Sequence, residues 1–276
     1  MSNSETRIPR VIWMLWFQGL SEAPFPIQKC VESWRRENPG WEVILLDEKN
    51  LGDYLTPDLP EEKYLQLDLT KRSNLVRLQL LQEYGGVCTD ATTYCIRPLD
   101  GWLAECTTSG FFAFFDPGRN RVMANWFLAA DKGNPVVTKM RSEYTSFFQE
   151  NNFNNDGRFR QKIRKLLQRT LSRNVKTARL WLSWPVTKVL RVYPYFIFHF
   201  LFERLVSTDS QCREIWAITR KIDAKPLFRC RYPENISGFP DDMKQELDER
   251  RAPLHKLNRK SDFSQYGPSS ALYYLL

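Results

Sequence analysis

Apolar positions in the first fifty residues predict a strand, a helix and a second strand. The apolar runs 11–16 and 41–46 are typical of buried strands. Between them, residues 26–37 carry apolar side chains at helical spacing, and Asn38-Pro39-Gly40 ends that helix. Two strands joined by a helix indicate a right-handed β–α–β unit and a parallel sheet.

Later segments continue the same alternation up to about residue 150. Leu75, Leu78 and Leu81 mark the buried face of a helix over residues 70–84, and Gly85-Gly86 provides the left-handed stop before the next strand. Further predicted elements are strands at 110–115 and 125–130 and a helix from Pro135 to Phe148. These elements predict an α/β fold with a mostly parallel central sheet and helices on both faces.

The pattern changes between residues 151 and 206. Residues 151–155 are polar and turn-like, and the apolar positions of residues 159–182 then form one helical stripe with Lys and Arg mostly off it, which predicts one or two basic amphipathic helices. Residues 194–206 are apolar nearly all round, which predicts a buried helix. We therefore predict an α/β core at 1–150, a helical insertion at 151–206 and a C-terminal segment at 207–276 that completes the core.

Charge is concentrated in that predicted insertion. The chain has 276 residues, a formal net charge of +8 and 42% hydrophobic residues, which are ordinary values for a globular protein. Residues 151–206 contain twelve Lys and Arg against Asp156 and Glu203, so the rest of the chain is slightly acidic. Basicity is therefore a property of one segment. Nucleic-acid binding through this segment is one alternative, although the sequence contains no recognised nucleic-acid motif.

Cysteine and histidine counts restrict the chemistry. The six cysteines form no Cys-x-x-Cys pair, and we expect them to be reduced, as in the cytosol. The first ten residues are polar and no run of about 18 apolar residues occurs, so we expect neither a signal peptide nor a transmembrane helix. Only His199 and His255 are present, which excludes a metal site with several histidines.

The strongest local signal is the segment 71–92. Asn74 and Arg77 are three residues apart and share a helix face. Gly85-Gly86 allows a tight turn, and Asp90 then lies at the end of a strand, where α/β sheets bind ligands. A carboxylate there can meet a ribose hydroxyl or a phosphate-bound cation, as a nucleotide sugar requires. The alternative is a helix cap followed by an exposed turn acid.

Four ordered blocks of the sequence form a recognisable set: IPRVIWMLWFQG (8–19), CVESW (30–34) with NPGWEV (38–43), SNLVRLQLLQEYGGVCTDAT (73–92) and NWFLAA (125–130). With these blocks the chain resembles the capsular polysaccharide synthesis proteins, bacterial glycosyltransferases related to the initiating yeast α-mannosyltransferases and the glucosylating domain of large clostridial toxins. Weaker similarities occur at 195–202 and 255–257.

The resemblance implies a GT-A fold, a nucleotide-diphosphosugar donor such as a UDP-sugar, and retention of anomeric configuration. Trp16 would stack on the donor base, Arg77 would contact the donor sugar or diphosphate, and Asp90 would bind the ribose and a metal. Lys256 and His255 would add positive charge where the C-terminal segment closes over the donor. The alternatives are a core Trp, a solvated helix Arg and a surface His. Asp90, Arg77 and Asn74 are the expected catalytic residues, and the other implied substrate contacts are Gln18, Ser73, Thr92, Asn125 and Trp126.

Two departures from the family pattern affect the predicted chemistry. Asn74 stands where the wider superfamily has Asp, and the DxD motif reads Asp90-Ala91-Thr92. A single carboxylate would hold Mg²⁺ or Mn²⁺ mainly through the donor phosphates, with His255 as a second candidate ligand. No residue is an obvious nucleophile, which favours same-face attack by the acceptor hydroxyl.

Three functions follow from the sequence. The first is a retaining glycosyltransferase that builds a capsular or cell-surface glycan, with its basic segment on the inner face of the cytoplasmic membrane or on an anionic, lipid-linked acceptor. The second is the nucleic-acid-binding protein mentioned above. The third is an inactive glycosyltransferase-like scaffold, because of the changes at Asn74 and Thr92.

Overall fold

The structure is a computed structural model that describes residues 8–151, 158–231, 241–258, 267 and 270–276. Residues 1–7 and all but the first residue of the polar segment 151–155 lie outside these ranges.

A five-stranded sheet forms the centre of the protein, and a two-stranded sheet lies beside it. The strands are β1 Val11–Leu15, β2 Glu42–Leu46, β3 Gly86–Asp90, β4 Thr93–Cys95, β5 Phe111–Gly118, β6 Arg121–Ala130 and β7 Leu254–Lys256. The order in the central sheet is β2-β1-β3-β6-β5; β1 pairs in parallel with β2 and β3, whereas β6 is antiparallel to both β3 and β5. All strands of this sheet except β6 therefore run in the same direction. The second sheet joins β4 and β7 in antiparallel orientation.

Helices cover both faces of the central sheet, as predicted. The α/β class and the parallel β–α–β opening are confirmed. The α-helices of the described ranges are α1 Phe25–Glu37, α2 Glu61–Gln66, α3 Leu69–Glu83, α4 Leu103–Cys106, α5 Pro135–Gln149, α6 Arg158–Leu171, α7 Val175–Ala178, α8 Ile197–Thr208, α9 Ser210–Ile218, α10 Asp241–Asp248 and α11 Ala271–Leu275.

Alternation along the strands separates two cores. In β1, Trp13 belongs to the core that includes residues of α3, α5 and α8, while Ile12 and Met14 belong to the core on the α1 side. This division follows from the period of two along a strand, which points successive side chains to opposite faces. The cysteines are all buried as free thiols, and burial raises the pKa of Cys88 to about 11.

Helix α3 and strand β3 form a tight antiparallel pair. The helix begins after Asp68, whose carboxylate accepts a hydrogen bond from the Lys71 backbone N–H at 3.1 Å. It ends at Glu83, and the chain turns into β3 through Gly85 and Gly86, which have φ of 71° and 97°. Because the connection is so short, the first turn of α3 lies at the same edge of the sheet as Asp90, the last residue of β3.

Two sequence-based boundaries differ from the structure. Strands β5 and β6 extend further toward each other than expected, because they form a hairpin around residues 119–120. Helix α8 begins at Ile197 rather than Pro194, because Tyr195 and Phe196 form a turn. The centroids of their two rings are 5.0 Å apart.

The basic segment is helical, as predicted, but is not continuous. After α6 and α7 come a 3-10 turn at Arg179–Leu182 and a π-helical turn at Pro185–Leu190. Glu203 of α8, which is buried, pairs with Arg179 and so connects the 3-10 turn to α8. No helix in the described part of the chain combines the length and apolar character needed to cross a bilayer.

Candidate active site

An ion pair between α3 and β3 lies at the centre of the candidate site. Arg77 is only 4% exposed, and its Nη2 donates to Asp90 Oδ1 at 2.5 Å. Its Nη1 donates to Asn74 Oδ1 at 2.6 Å, one turn earlier on the same helix. Arg77 is therefore not a solvated helix arginine. Its Nε is also buried and has no hydrogen-bond partner among the described residues.

Asn74 connects this pair to two other elements. Its Oδ1 also accepts a hydrogen bond from Asn125 Nδ2 at 3.0 Å, on β6. Its own Nδ2 donates to the Tyr144 hydroxyl at 3.3 Å, on α5. Burial raises the pKa of Tyr144, so this hydroxyl stays protonated. Both ends of the Asn74 amide are thus used, and its orientation is fixed by the network.

Lys256 reaches Asp90 from the C-terminal part of the chain. Its Nζ lies 3.1 Å from Asp90 Oδ2 and also donates to Thr92 Oγ1. The position of Lys256 follows from β7, which pairs with β4 and aligns Lys256 with Thr93. Beyond β7, the Leu257 N–H donates to the Thr92 carbonyl at 2.7 Å.

One network therefore joins six predicted site residues from four parts of the chain. We call this group the polar cluster. Its members are Asn74, Arg77, Asp90, Thr92, Asn125 and Lys256.

His255 does not join the polar cluster. It is 1% exposed, and neither ring nitrogen has a hydrogen-bond partner among the described residues. Adjacent strand residues point to opposite sides, so His255 faces away from the side on which Lys256 meets Asp90. Burial, with a smaller contribution from the nearby Arg229 charge, lowers the pKa of His255 to about 4.

The other predicted contact residues are distributed around the cluster. Trp16 follows the end of β1 and is half-buried, and its indole N–H has no hydrogen-bond partner in the described ranges. Gln18 is exposed in the following turn. Ser73 donates to the Leu69 carbonyl at 2.7 Å within α3. Trp126 is in the core, where it stacks on Phe114 at 5.2 Å.

A small cavity lies beneath Asp90. Its volume is about 20 Å³, enough for about one water molecule, and Trp13, Ser73, Arg77 and Asp90 contribute to its walls. This volume is far too small to hold a nucleotide.

These residues do not fit a preformed divalent-cation site. Both carboxylate oxygens of Asp90 already face cationic groups, Arg77 on one side and Lys256 on the other. Within the described ranges, no three His, Cys, Asp or Glu side chains are grouped so that they could hold a metal ion. The ammonium group of Lys256 takes the position beside Asp90 where a cation would add positive charge.

Tyr144 and Lys71 are two site residues to which the sequence analysis gave no role. Tyr144 shares the buried face of α5 with Met140 and Phe148, so its burial could be inferred from helical spacing. Its contact with Asn74 joins residues 70 positions apart, and no local pattern indicates it. Lys71 is the first residue of the segment 71–92, but its burial depends on the aromatic side chains of Tyr193 and Tyr195.

Comparison with known families matches residues 1–156 to the family described as Capsular polysaccharide synthesis protein. This match covers more than half of the chain. The protein belongs to the capsular polysaccharide synthesis protein family. The matched range of this family member contains Asn74, Arg77, Asp90, Thr92 and Asn125, whereas Lys256 lies beyond it.

Relatives of this family member include named glycosyltransferases. The O-glycosyltransferase braB of Annulohypoxylon truncatum is 29% identical over 148 residues, which are 46% of this chain and 35% of braB. Glycosyltransferase afumC of Aspergillus fumigatus is 31% identical over 156 residues, which are 50% of this chain and 39% of afumC. The initiation-specific alpha-1,6-mannosyltransferase of Candida albicans is 25% identical over 163 residues, which are 50% of this chain and 42% of that enzyme. The matches therefore span less than half the length of each relative.

Among solved structures, two similar proteins are also glycosyltransferases. The PaToxG Glycosyltransferase has a TM-score of 0.38 and 14% identity, with 76% of this chain and 78% of that chain covered. A glycosyltransferase involved in glycosylation of the major capsid of PBCV-1 has a TM-score of 0.40 and 10% identity, with 96% and 98% covered. Both similarities are distant.

Proposed function

We propose that this family member is a GT-A type glycosyltransferase that transfers a sugar from a nucleotide-diphosphosugar, such as a UDP-sugar, to a capsular or cell-surface glycan. The observation that carries the proposal is the placement of Asp90 between Arg77 and Lys256 at the carboxyl edge of the sheet. Family membership supports the same activity.

The polar cluster has the charges that a diphosphate leaving group needs. Lys256 and Arg77 both pair with the Asp90 carboxylate, so two cationic groups share one negative charge. A bound diphosphate could therefore take the place of Asp90 as the partner of Lys256. Fixed positive charges that meet the charge developing on the leaving oxygen lower the barrier without reorganisation. Asp90 would then accept hydrogen bonds from the ribose, and the half-exposed ring of Trp16 would stack on the base.

Catalysis in this scheme is positioning together with stabilisation of the leaving group. The polar cluster contains two amides, two cations, the Thr92 hydroxyl bonded to Lys256, and one carboxylate already held by both cations, so it offers no free carboxylate nucleophile. We therefore propose same-face attack by the acceptor hydroxyl, which transfers its proton to the leaving phosphate, with retained configuration. Proton NMR of the earliest product checks this: a retained anomeric signal is expected, and an inverted one would contradict same-face attack.

Donor hydrolysis tests the proposed activity. The parent protein should release nucleoside diphosphate from its nucleotide sugar, and Asp90→Ala should reduce this release at least about a hundredfold, in line with the loss of a preorganised charged group. Asp248→Ala is the matched control, because Asp248 is an exposed carboxylate on α10. No release by the parent from any nucleotide sugar would favour an inactive scaffold. Equal rates in the parent and Asp90→Ala would show that the site is elsewhere.

The basic segment supports a second part of the proposal, attachment to the inner face of the cytoplasmic membrane, where a lipid-linked acceptor would be available. Exposed apolar side chains stand beside its Lys and Arg residues: Leu180 is 53% exposed, Trp184 68% and Val189 57%. An apolar face with basic neighbours is typical of a helix that lies on an anionic bilayer. We propose that residues 1–150 bind the donor, residues 151–206 face the membrane or acceptor, and residues 207–276 deliver Lys256.

A further inference from the structure

A larger cleft lies beside the polar cluster. It has a volume of about 490 Å³ and is formed between the first turn of α3 and helix α6, with Tyr195 at one side. We call it the α3–α6 cleft. Its lining includes Asp68, Lys71, Arg164, Lys165, Arg169 and Tyr195.

The α3–α6 cleft has a strong excess of positive charge. Four of the lining side chains are cationic, and one, Asp68, is a carboxylate. In the described part of the chain, Arg164, Lys165 and Arg169 form no salt bridge, unlike Arg179 in the same segment, which pairs with Glu203. These three side chains therefore present cationic groups to one cleft, and α6 carries no carboxylate that could pair with them. Such an arrangement favours an anionic ligand.

Lys71 gives the cleft a fixed cationic wall. Its side chain is 4% exposed and its Nζ lies 2.6 Å from Asp68 Oδ2. The same ammonium group lies 5.4 Å from the ring centroid of Tyr193 and 5.0 Å from that of Tyr195. The cation–π contacts and the ion pair together hold Lys71 in place before any ligand binds. Binding therefore loses less side-chain conformational entropy at Lys71 than at a mobile lysine.

The cleft adjoins the polar cluster without sharing a residue with it. Lys71 precedes Asn74 by three residues on α3, so the two lie on one helix face about 4.5 Å apart along the axis. Asn74 is the member of the polar cluster nearest to Lys71 along the chain, and it accepts the hydrogen bond from Asn125 Nδ2. An acceptor sugar held at Asn74 and Asn125 would lie about one helical turn from Lys71, so a phosphate attached to that sugar would be within reach of the cleft.

We propose that the α3–α6 cleft binds the phosphate or diphosphate group that the acceptor carries. This inference rests on the proposed glycosyltransferase function, because it assigns the cleft to that enzyme's acceptor. Arg164 and Arg169 suit the group because guanidinium forks bind phosphate oxygens in a bidentate manner, and the ammonium groups of Lys71 and Lys165 add point charges. Tyr195, which is 56% exposed, offers an apolar wall to whatever chain the phosphate carries.

Calorimetric titration with inorganic diphosphate tests the cleft, with UDP present at saturating concentration so that the polar cluster is already occupied. Arg164→Gln, Lys165→Gln and Arg169→Gln together should weaken binding at least about tenfold, because charge-assisted hydrogen bonds to phosphate are lost. The matched control combines Lys162→Gln, Arg173→Gln and Lys176→Gln, which removes the same charge from exposed positions outside the cleft. The control should stay within about twofold of the parent. Equal weakening in both triple variants, or none in either, would overturn the proposal.

Further measurements serve two purposes. Titrations with lipid analogues identify the source of the phosphate, and a melting temperature shows whether the proposed donor binding itself fails. Farnesyl diphosphate should bind more tightly than inorganic diphosphate if the acceptor is lipid-linked, and equally if the phosphate belongs to a soluble glycan; farnesol, which lacks phosphate, should not bind. The melting temperature with a nucleotide sugar should shift equally in the parent and the cleft triple variant. A missing shift in both would reject the donor proposal, while the diphosphate titration would still decide whether the cleft binds anions.

Discussion

At the scale of single residues, the most informative feature is the burial of polar groups on α3. Arg77 and Asn74 are 4% exposed, and such groups are costly to bury unless they are paired. The sequence motif could indicate Asn74, Arg77 and Asp90, because they are close along the chain. Lys256, 166 positions after Asp90, lies outside this motif and is expected only from the family resemblance; the pairing of β4 with β7 brings it to Asp90.

Asp90 should also contribute to stability. Asp90→Asn removes the carboxylate partner of the buried Arg77 guanidinium, which should lower the free energy of unfolding by about 3 kcal/mol. Adding Arg77→Met should recover part of the loss, because it removes the uncompensated charge. Urea denaturation of the two variants and the parent checks this. Unchanged stability in Asp90→Asn would show that the pair contributes little.

His255 should make stability depend on pH. Burial lowers the pKa of His255 to about 4 from an ordinary value near 6.5, so the unfolded chain binds its proton first as pH falls. Stability is therefore fully present above about pH 6.5 and is lost as pH approaches 4, by on the order of 3 kcal/mol. His255→Leu should flatten this part of the profile. An identical pH profile in the variant would contradict the assigned cause. Burial lowers the pKa of His199 too, so a residual slope should remain.

At the scale of secondary-structure elements, the approach of β3 to β1 positions Asp90. Helical spacing and the Gly-Gly stop were enough to predict α3 and β3. They did not reveal that α3 is buried on nearly every side, because Lys71, Asn74, Arg77 and Gln79 are polar in sequence and gain their burial from α5 and distant loops. Hydrophobic periodicity therefore understated the burial of the helix that carries the site.

Gly86 should be the position where β3 tolerates least change. Its φ is 97°, and a Cβ there would lie 2.5 Å from Val11 Cγ1 and 2.6 Å from the Val11 carbonyl oxygen. Gly86→Ala should therefore cost at least about 3 kcal/mol, from left-handed backbone strain and overlap with β1. Gly101→Ala is the control, because a Cβ at Gly101 would meet no heavy atom within 4 Å and the change should stay within about 0.5 kcal/mol. Thermal unfolding compares the two; similar losses would contradict the packing argument.

At the scale of the whole molecule, charge and chemistry occupy different parts. The polar cluster lies in a slightly acidic body, whereas residues 151–206 hold the excess of Lys and Arg. Sequence counting could locate this excess, but it could not show that Arg164, Lys165 and Arg169 line one cleft with Lys71. That arrangement depends on how α6 lies against the start of α3, which no local pattern encodes.

Membrane attachment should depend on exposed apolar residues of the basic segment. Leu180→Ser with Trp184→Ser should reduce sedimentation with phosphatidylglycerol vesicles several-fold and leave the melting temperature nearly unchanged, because both side chains are more than half exposed. Binding of the parent should also fall as salt rises, since exposed charges are screened. Tyr273→Ser, at an exposed ring on α11, is the control. Unchanged sedimentation in the double variant would contradict the membrane proposal.

The central claim, that the polar cluster binds the donor diphosphate, is tested most directly by ligand-dependent melting temperature. A ligand that binds only the folded protein stabilises it, so the correct nucleotide sugar should raise the melting temperature of the parent by several degrees at saturating concentration. Lys256→Gln should melt near the parent temperature without ligand and lose most of the ligand-induced shift. An equal shift in the parent and Lys256→Gln, or no shift with any nucleotide sugar, would contradict the account.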